Sequence, residues 1–402
     1  MKTALVHDWL MTLGGAENVF AEIYKLFPGP IYTLFAREDS IRNSAFRNAD
    51  ISTSFLQKLP FAKRKYRSYL PFYPLAVEQF DLSQYDVIIS SSHAVAKNVL
   101  TATDQIHICY FNGMMAYAYD LHHYYLKETG LKKYIKGPLA RSILQHIRSW
   151  DYTARKRPDY CVANSHYMAR MVEKHYDRES TVIYPPVDTE NIQLTREKED
   201  YYLAAARLVP IKRLDTIVDA FSSNPERKLV ILGDGPEMSK LKSRAADNIT
   251  FLGHRPHDEV FDYMSKARAL VTASVEPFGI TTVEAQACGT PVIAYGRGGS
   301  LETVIDGRTG IFFDKQDPDC LNEAIEKFEK VKDRFDAKEI RENAMRFSKE
   351  RFQAEFKAFV EDAVRRHRAR IESKVQRDGT VREPAYIEDF ETQESPEPAI
   401  SD

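Results

Sequence analysis

The stretch "ARALVTASVEPFGITTVEAQACGTPVIAYG", residues 267–296, decides the fold class. Its ends, "ARALVTAS" and "TPVIAYG", are short apolar runs typical of strands, and the segment between them is typical of a loop and a helix. A strand, a helix and another strand form the repeating unit of a parallel sheet, because parallel neighbours need a long crossover connection. The loop and helix also carry two glutamates, Glu276 and Glu284, eight positions apart.

The same alternation runs through the chain. In the first half, strands are predicted at "KTALVHDWL", "PIYTLFAR", "YDVIISSS", "QIHICYFN", "DYCVANS" and "STVIYPP". In the second half, "YYLAAARL", "RKLVILGDG", "NITFLGH" and "TGIFFD" join the two strands quoted above. A length of 402 residues also favours two domains over one. We therefore expect an α/β protein with two doubly wound domains, joined near residues 184–192.

Composition and charge narrow the protein class. The chain is 43% hydrophobic and 28% charged, as in ordinary folded proteins. It lacks a signal-peptide pattern and any apolar run of 18 residues, so we expect a cytoplasmic protein that does not span a membrane. Residues 1–190 hold 23 Lys and Arg against 19 Asp and Glu, and residues 371–402 hold 3 against 9. This balance does not favour nucleic-acid binding, and the acidic tail 371–402 is predicted to be disordered.

Two loops have the chemistry of a phosphate site. Gly14 and Gly15 follow the first predicted strand and precede a helix, where backbone N–H groups can approach an anion. In the second half, Arg207 and Lys212 lie between a strand and a helix, and two cations there suit a diphosphate. A structural turn and a solvated basic loop are the alternatives.

The whole set resembles the family-four retaining glycosyltransferases of the GT-B fold, in which two Rossmann-like domains face each other across a cleft. Glu276, seven intervening residues and Glu284 match the Glu-x7-Glu signature of that family. "ARLVPIKR", "ILGDGPE" and "GGSLETVIDGRTG" match further family segments in the same order. The resemblance implies domains at 1–190 and 191–350, and a helix at 351–370 that crosses back to the first domain.

The resemblance also assigns roles to residues. Glu276 is expected to bind hydroxyls of the donor sugar, Glu284 the ribose, and Arg207 with Lys212 the leaving diphosphate. The catalytic residues expected are Glu276, Arg207, Lys212 and Asn112. The expected donor-binding residues are Gly14, Gly15, Gly233, Phe278, Gly279, Ile280, Thr281 and Glu284. No metal or cofactor is implied, and "DPD" at 317–319 is predicted to cap a helix.

The acceptor is expected to lie against the first domain. The candidate residues there are His7, Asp8, Trp9, His93, Tyr117 and Asp120. "HDWL…GGAE" and "SSSHAVAK" resemble bacterial mannosyltransferases that build surface polysaccharide or O-antigen from GDP-mannose, so this donor is favoured over a UDP-sugar. The acceptor implied is a glycan or a lipid-linked glycan. Residues 61–74 and 131–150 mix cations with aromatic residues and suggest contact with the inner face of the membrane; a solvated helix face is the alternative.

One segment departs from the family pattern. Residues 112–120 read "NGMMAYAYD", whereas this subgroup usually reads His-Thr-Pro-Met-Arg-Tyr-Ala-Trp-Asp. Asn112 replaces a histidine that lies against the donor sugar in the family, and Ala116 replaces an arginine. A nucleotide-sugar-binding protein with weak or altered transfer is therefore an alternative function. Non-hydrolysing epimerases and phosphorylases share the architecture, but the Glu-x7-Glu match and the chain length disfavour them.

Overall fold

The computed structural model describes residues 1–42, 44–128, 136–189, 192, 194 and 197–378. Three predicted features fall partly outside these residues. They are the domain junction at 190–191, residues 131–135 of the second basic segment, and residues 379–402 of the acidic tail.

The first half of the described chain forms a parallel sheet of seven strands. They are β1 (Thr3–His7), β2 (Ile31–Thr33), β3 (Ile51–Thr53), β4 (Val87–Ser92), β5 (Ile106–Phe111), β6 (Tyr160–Ala163) and β7 (Thr181–Val182). Their order in the sheet is β3-β2-β1-β4-β5-β6-β7. The order reverses direction between β1 and β4, and ligands of doubly wound sheets bind at this point, outside the carboxyl ends of the strands.

The second half forms a parallel sheet of six strands. They are β8 (Tyr202–Ala205), β9 (Leu229–Leu232), β10 (Ile249–Gly253), β11 (Leu270–Thr272), β12 (Val292–Tyr295) and β13 (Gly310–Phe313). Their order is β10-β9-β8-β11-β12-β13, which reverses direction between β8 and β11. The loops that carry Arg207 and Glu276 follow these two strands.

Helices connect the strands. In the first half they are α1 (Gly15–Leu26), α2 (Glu38–Arg42), α3 (Ala62–Lys65), α4 (Tyr73–Glu78), α5 (His122–Glu128), α6 (Lys136–Thr153) and α7 (His166–Tyr176). In the second half they are α8 (Leu214–Ser222), α9 (Met238–Lys242), α10 (His257–Lys266), α11 (Ile280–Ala287), α12 (Ser300–Thr303), α13 (Pro318–Val331), α14 (Ala337–Met345) and α15 (Lys349–Asp378). Short 3-10 helices lie at Phe55–Lys58, Tyr66–Phe72, Ala96–Asn98, Ala154–Lys156, Pro210–Lys212 and Lys332–Arg334.

Both faces of the first sheet are buried. Ala4 and Val6 of β1 contribute to one apolar cluster, while Leu5 between them contributes to a cluster on the opposite face. Strands covered on both sides are typically apolar at consecutive positions, as β5 is apart from His107 and as the first three residues of β4 are, and every residue of both strands is buried. The predicted fold class, two Rossmann-like α/β domains, is therefore confirmed.

The last helix returns to the first domain. Phe352, Phe356 and Val360 of α15 are fully buried in the cluster that contains Leu5 of β1. Gln353 Nε2 also donates to Glu22 Oε2 of α1, at 2.7 Å. The helix ends at Asp378 and not at residue 370, so eight residues of the predicted tail are helical.

The two domains touch beside the predicted cleft. Ser165 Oγ at the start of α7 donates to the carbonyl oxygen of Pro277 at 2.6 Å. Tyr124 on α5 donates to the carbonyl oxygen of Pro210 at 2.8 Å. Glu302 of α12 caps the N-terminus of α7 by accepting from two backbone N–H groups, each at 2.8 Å. Across the described ranges, none of the helices is long and apolar enough to cross a membrane.

Candidate active site

A carboxylate and an ammonium group meet at the centre of the candidate site. Glu276 follows β11, and its Oε1 lies 2.5 Å from Lys212 Nζ, which follows β8. Ser274 Oγ donates to the same Oε1 at 2.6 Å. Both charged side chains are 22% exposed, so each remains within reach of a ligand. The two residues were predicted separately from two motifs, and the fold joins them because β8 and β11 are neighbours.

Electrostatics keeps Glu276 ionised. Burial acts to raise the pKa of Glu276, but the nearby Lys212 ammonium, the hydrogen bonds from Lys212 and Ser274, and the charge of Arg207 together hold it below its ordinary value. Arg207 itself is exposed. The site therefore presents one carboxylate and two cations to the cleft.

The loop that carries Glu276 is fixed by glycines on a neighbouring loop. Gly299 N–H donates to the carbonyl oxygen of Glu276 at 2.8 Å. A Cβ at Gly299 would lie only 2.4 Å from the backbone of Phe278, and one at Gly298 would lie 2.6 Å from the carbonyl oxygen of Glu276. The Gly-Gly pair in "GGSLETV" thus permits direct backbone packing under the donor loop.

Gly279 begins the helix that follows. Its φ of +96° is in the left-handed region, which favours glycine, and α11 starts at the next residue, Ile280. The first N–H groups of a helix have no partner within the helix, and they attract anions. Thr281 is partly exposed on the first turn. This arrangement suits a phosphate or a sugar hydroxyl beside Glu276.

Glu284 lies on the same helix, and its side chain is more buried than that of Glu276. Its side chain is 14% exposed, and His257 Nε2 is 3.8 Å from its Oε1. Burial, with a smaller contribution from the like charge of Asp188, raises the pKa of Glu284 to about 7. A carboxyl group that titrates near neutral pH gains from hydroxyl donors, which would stabilise its charged form.

Three predicted donor contacts have other roles in this structure. Gly14 N–H donates to Glu17 Oε2 at 2.9 Å, so a carboxylate of the protein already occupies the positive end of α1. Gly233, with φ of +126°, packs on the backbone of Ala206: an added Cβ would be 1.9 Å from its carbonyl oxygen. The Phe278 ring is 2% exposed and packs against Tyr184 and Phe347, away from solvent. These contacts support the loops around the site, and contact of the three residues with a donor stays a prediction.

Gly15 does lie at the cleft, for a different reason from the one predicted. A Cβ at Gly15 would lie 2.6 Å from Cδ1 of Ile280, which belongs to the second domain. The absence of a side chain lets the first domain approach the donor loop this closely.

Asn112 and the altered loop also lie at the cleft. Asn112 follows β5, its Nδ2 donates to Ser91 Oγ at 2.8 Å, and its carbonyl oxygen accepts from Asn164 at 2.8 Å. A Cβ at Gly113 would be 3.7 Å from Cβ of His93 and 4.0 Å from Cγ of Pro277. The segment that departs from the family pattern is therefore next to the residue that follows Glu276.

Two acceptor candidates, His7 and Asp8, are buried in this structure and have partners inside the first domain. His7 is 1% exposed, and its ring stacks on Phe20 at 4.6 Å. Asp8 is 0% exposed and accepts hydrogen bonds from the backbone of the loop after β4. Both residues end β1 inside the domain, where a carboxylate needs internal donors.

The other acceptor candidates are more accessible. Trp9 and His93 are partly exposed and pack edge to face, with ring centroids 4.6 Å apart. Tyr117 is partly buried against the first core. Asp120 is exposed and accepts from His175 Nε2 of α7 at 3.0 Å. Only Trp9 and His93 combine exposure with a position at the switch between β1 and β4.

Sequence reasoning missed three groups that hold the site together. Ser274 contacts Glu276, Ser165 contacts Pro277, and Glu302 caps α7. Serine and glutamate are common on surfaces, and no spacing marks them. Across the described ranges, no group of three or more His, Cys, Asp or Glu side chains is arranged to hold a metal ion. Asp317 caps α13 as predicted, with its Oδ1 accepting from Asp319 N–H at 3.0 Å.

Family models match both halves of the chain. Residues 13–191 match the model of Glycosyltransferase Family 4, and residues 188–347 match that of Glycosyl transferases group 1. The boundary between the two matches coincides with the link between the two sheets.

Individual relatives match over part of the chain. An uncharacterized glycosyltransferase of Methanocaldococcus jannaschii is 32% identical over 201 residues, 49% of this chain and 56% of the relative. A Corynebacterium glutamicum protein named as a GDP-mannose-dependent monoacylated alpha-(1-6)-phosphatidylinositol monomannoside mannosyltransferase is 31% identical over 163 residues, 35% of this chain and 42% of the relative. The chain spans about half the length of these curated relatives, or less.

A solved structure matches the whole architecture. HepE of Anabaena, solved in complex with UDP and glucose, superposes with a TM-score of 0.66 at 16% identity, covering 90% of this chain and all of that one. At this identity the likeness establishes the fold alone. We conclude that this chain has the two-domain GT-B fold of the group 1 and family 4 glycosyltransferases.

Proposed function

We propose that this protein is a retaining glycosyltransferase that moves a sugar, with mannose from GDP-mannose as the best guess, to a glycan or a lipid-linked glycan in surface polysaccharide synthesis. The observation that carries the proposal is the contact between Glu276 and Lys212 at 2.5 Å, with Arg207 acting on the same carboxylate. Catalysis of this reaction needs anion stabilisers beside a group that binds the sugar; Lys212 and Arg207 would stabilise the anion, and Glu276 would bind the sugar.

A bound donor would separate the pair. Its diphosphate would bind the ammonium of Lys212, and its sugar hydroxyls would donate to Glu276. Lys212 and Glu276 would then each exchange the other for a group of the donor. As the anomeric C–O bond breaks, negative charge builds on the diphosphate beside Lys212, Arg207 and the start of α11. Preorganised groups of this kind typically lower an activation barrier by about 3–4 kcal/mol each.

The choice of donor rests on the relatives. The Corynebacterium protein is named as GDP-mannose-dependent, whereas HepE was solved with UDP and glucose. The Corynebacterium relative is 31% identical over 35% of this chain, and that sequence similarity supports GDP-mannose as the donor. A UDP-sugar is the second choice.

The acceptor proposal draws on an exposed surface near the cleft, the 55–75 surface. Four exposed large apolar side chains lie within these 21 residues: Phe55 at 36%, Phe61 at 71%, Phe72 at 51% and Leu75 at 52%. Phe61 adopts a left-handed φ of 59°, a costly conformation for an aromatic residue that leaves its ring in solvent. Apolar rings held in water favour a membrane interface.

The charge of the 55–75 surface also favours contact with a membrane. Five cations accompany the rings: Lys58, Lys63, Arg64, Lys65 and Arg67. Residues 51–77 contain no Asp or Glu, and in the described chain none of the five cations forms a salt bridge. Each Lys or Arg near an anionic membrane contributes about 1 kcal/mol. Tyr66 lies on the inner side of the same segment, and its ring centroid is 5.5 Å from that of Trp9. Burial raises the pKa of Tyr66, and the charge of Arg207 acts to lower it. The 55–75 surface therefore borders the cleft.

The second predicted membrane segment has a different character. On α6, Leu144 and Ile147 are buried, while Arg141, Gln145 and His146 are exposed. Leu139 of the same helix is 61% exposed, so α6 is a packed helix with one large apolar side chain on its solvated face. We therefore place the proposed membrane contact on the 55–75 surface, where four such side chains occur within 21 residues.

Vesicle sedimentation tests this assignment. The full chain should bind vesicles of phosphatidylcholine with phosphatidylglycerol better than phosphatidylcholine alone, and added salt should weaken binding. Phe61→Ser with Phe72→Ser should release the protein, whereas Leu301→Ser, which alters a side chain 54% exposed in the second domain, should not. Equal release by both variants, or binding indifferent to lipid charge, would contradict it.

The alternative function is a nucleotide-sugar-binding protein with weak or altered transfer, and the 112–116 segment favours it. Asn112 cannot carry a proton charge at neutral pH, unlike the histidine of the family pattern. The segment nevertheless packs beside Pro277, where it would face the donor.

Release of nucleoside diphosphate from GDP-mannose and from UDP-glucose tests the function. The full chain is incubated with each donor and a bacterial lipid extract, and transfer of label to the extract is measured. Transfer from one donor supports the proposal. Nucleotide binding without transfer from either donor would favour the alternative.

A further inference from the structure

The loop after β4 is built around a buried carboxylate. Asp8 Oδ2 accepts from the N–H groups of His93 and Ala94 at 2.6 and 2.9 Å, and Oδ1 accepts from Val95 and Ala96 at 2.6 and 2.7 Å. The carboxylate is fully buried, so these contacts serve the protein and not a ligand. Such charge-assisted hydrogen bonds fix the backbone of His93.

A second buried ion pair holds the C-terminal end of the loop after β4, at Lys97. Lys97 Nζ lies 2.7 Å from Asp151 Oδ1, and both side chains are almost completely buried. Asp151 also accepts from Tyr119 and Tyr176, at 2.7 and 2.6 Å. The loop between the two carboxylates is therefore held at both ends.

The His93 ring is oriented by the same carboxylate. Its Nδ1 is buried 3.3 Å from Asp8 Oδ2, within ion-pair distance but without a hydrogen bond to it, while the side chain as a whole is 26% exposed. A ring that presents Nδ1–H to a carboxylate carries its lone pair on Nε2, the nitrogen on the opposite side. Trp9 packs edge-on against the ring and limits its rotation.

His93 lies near the loop of the second domain that carries Glu276. A Cβ at Gly113 would be 3.7 Å from Cβ of His93 and 4.0 Å from Cγ of Pro277, so Gly113 lies between the two residues. The charge of Arg207 acts on both His93 and Glu276. A retaining transferase that uses front-face attack brings its acceptor from the side of the leaving diphosphate, which Arg207 is proposed to bind.

We propose that His93 is a catalytic residue, the base that receives the proton of the attacking acceptor hydroxyl, and that Asp8 is its positioning residue. This inference rests on the proposed function. The acceptor oxygen bonds to the anomeric carbon, its proton moves to Nε2, and the anomeric C–O bond breaks with its electron pair leaving on the diphosphate. The imidazolium is stabilised by Asp8 and later returns the proton to solvent or to the diphosphate.

The electrostatic surroundings suit a neutral imidazole at neutral pH. Burial lowers the pKa of His93 below its usual value, Asp8 and Glu17 oppose this, and His7 and Arg207 add to it. These four groups lie on β1, α1 and the loop after β8. The base is therefore active at neutral pH and is lost when acid protonates the ring.

Turnover of GDP-mannose and UDP-glucose, with methyl α-D-mannopyranoside as acceptor, tests the role of His93. His93→Phe should lower kcat roughly tenfold or more while nucleotide affinity and melting temperature stay unchanged. The wild-type rate should fall in acid, and that fall should be absent in His93→Gln. The control is His146→Phe, at an exposed histidine of α6. Wild-type kcat in His93→Phe, or an unchanged acid limb in His93→Gln, would overturn the proposal.

Nuclear magnetic resonance of the ring nitrogens gives a readout that does not depend on turnover. In the full chain at neutral pH, His93 should carry its proton on Nδ1, with Nε2 unprotonated. A proton on Nε2 would overturn the proposal even if both donors were inert. Failure of the proposed function would look different, because the wild type would then turn over neither donor, whatever the protonation of the His93 ring.

Discussion

Glu284 connects pH to stability. Its pKa of about 7 in the folded chain is above its ordinary value, so the folded state binds the proton more tightly than the unfolded state does. Folding stability should therefore fall as pH rises between about 4.5 and 7, by up to about 3 kcal/mol.

Glu284→Gln should remove this pH dependence and raise the melting temperature at pH 8. Calorimetry at pH 5 and pH 8 measures the difference. Glu326→Gln, at a side chain 57% exposed, is the control and should change little. A Glu284→Gln variant that melts below the wild type at pH 8 would refute the argument.

The altered residues at 112–116 bear on the rate of transfer. Restoring the family residues at positions 112, 113, 114 and 116 should speed transfer from GDP-mannose and leave nucleotide affinity unchanged, because the segment lies beside Pro277, next to the proposed sugar-binding residue Glu276. A radiolabel transfer assay compares the two chains. Equal and fast turnover would show that the native segment does not limit the chemistry.

At the scale of elements, glycine turns fix the loops of the second domain. Gly233→Ala would place a Cβ 1.9 Å from the Ala206 carbonyl oxygen at a φ of +126°, so it should destabilise the protein by more than about 3 kcal/mol. Gly253→Ala meets no atom within 4 Å at a φ of +72° and should cost about 1–2 kcal/mol. Melting temperatures measure both, and equal losses would contradict the close approach at Gly233.

The elements were largely predictable, whereas several contacts of the site were not. Short apolar runs and Gly-containing loops gave the strands of both sheets, because a strand buried on both faces must be apolar at successive positions. The pairing of Glu276 with Lys212 follows from sheet order, which a one-dimensional pattern does not contain. His7 and Asp8 looked like a ligand-facing pair, since polar residues after a strand often face a cleft, yet Asp8 serves the loop after β4.

At the scale of the whole molecule, α15 ties the chain end to the first domain. Phe352, Phe356, Val360, Ala363 and Val364 are buried, and full burial of large apolar side chains contributes about 1.5–3 kcal/mol each. A chain ending at residue 348 should lose most of the stability of the first domain, which is on the order of 5–15 kcal/mol for a typical domain.

A chain ending at residue 370 should melt within a few degrees of the full chain. His367 is 3% exposed, the last buried residue among those up to 373 whose burial is described, and it is retained. Thermal unfolding followed by circular dichroism compares the full chain with both truncations. A large loss for the chain ending at 370 would mean that later residues pack.

Isothermal titration with GDP and UDP tests the donor site most directly. Loss of a hydrogen bond to a charged group costs about 1.5–3 kcal/mol, so Lys212→Ala should weaken nucleotide binding roughly 10- to 100-fold, and Glu284→Ala should also weaken it. Lys228→Ala, at a lysine 64% exposed whose Nζ lies 3.3 Å from Asp200, is the control and should bind as the wild type does. We predict that GDP binds more tightly than UDP and that both site variants lose affinity. Unchanged affinity for both nucleotides in Lys212→Ala and Glu284→Ala would contradict the account.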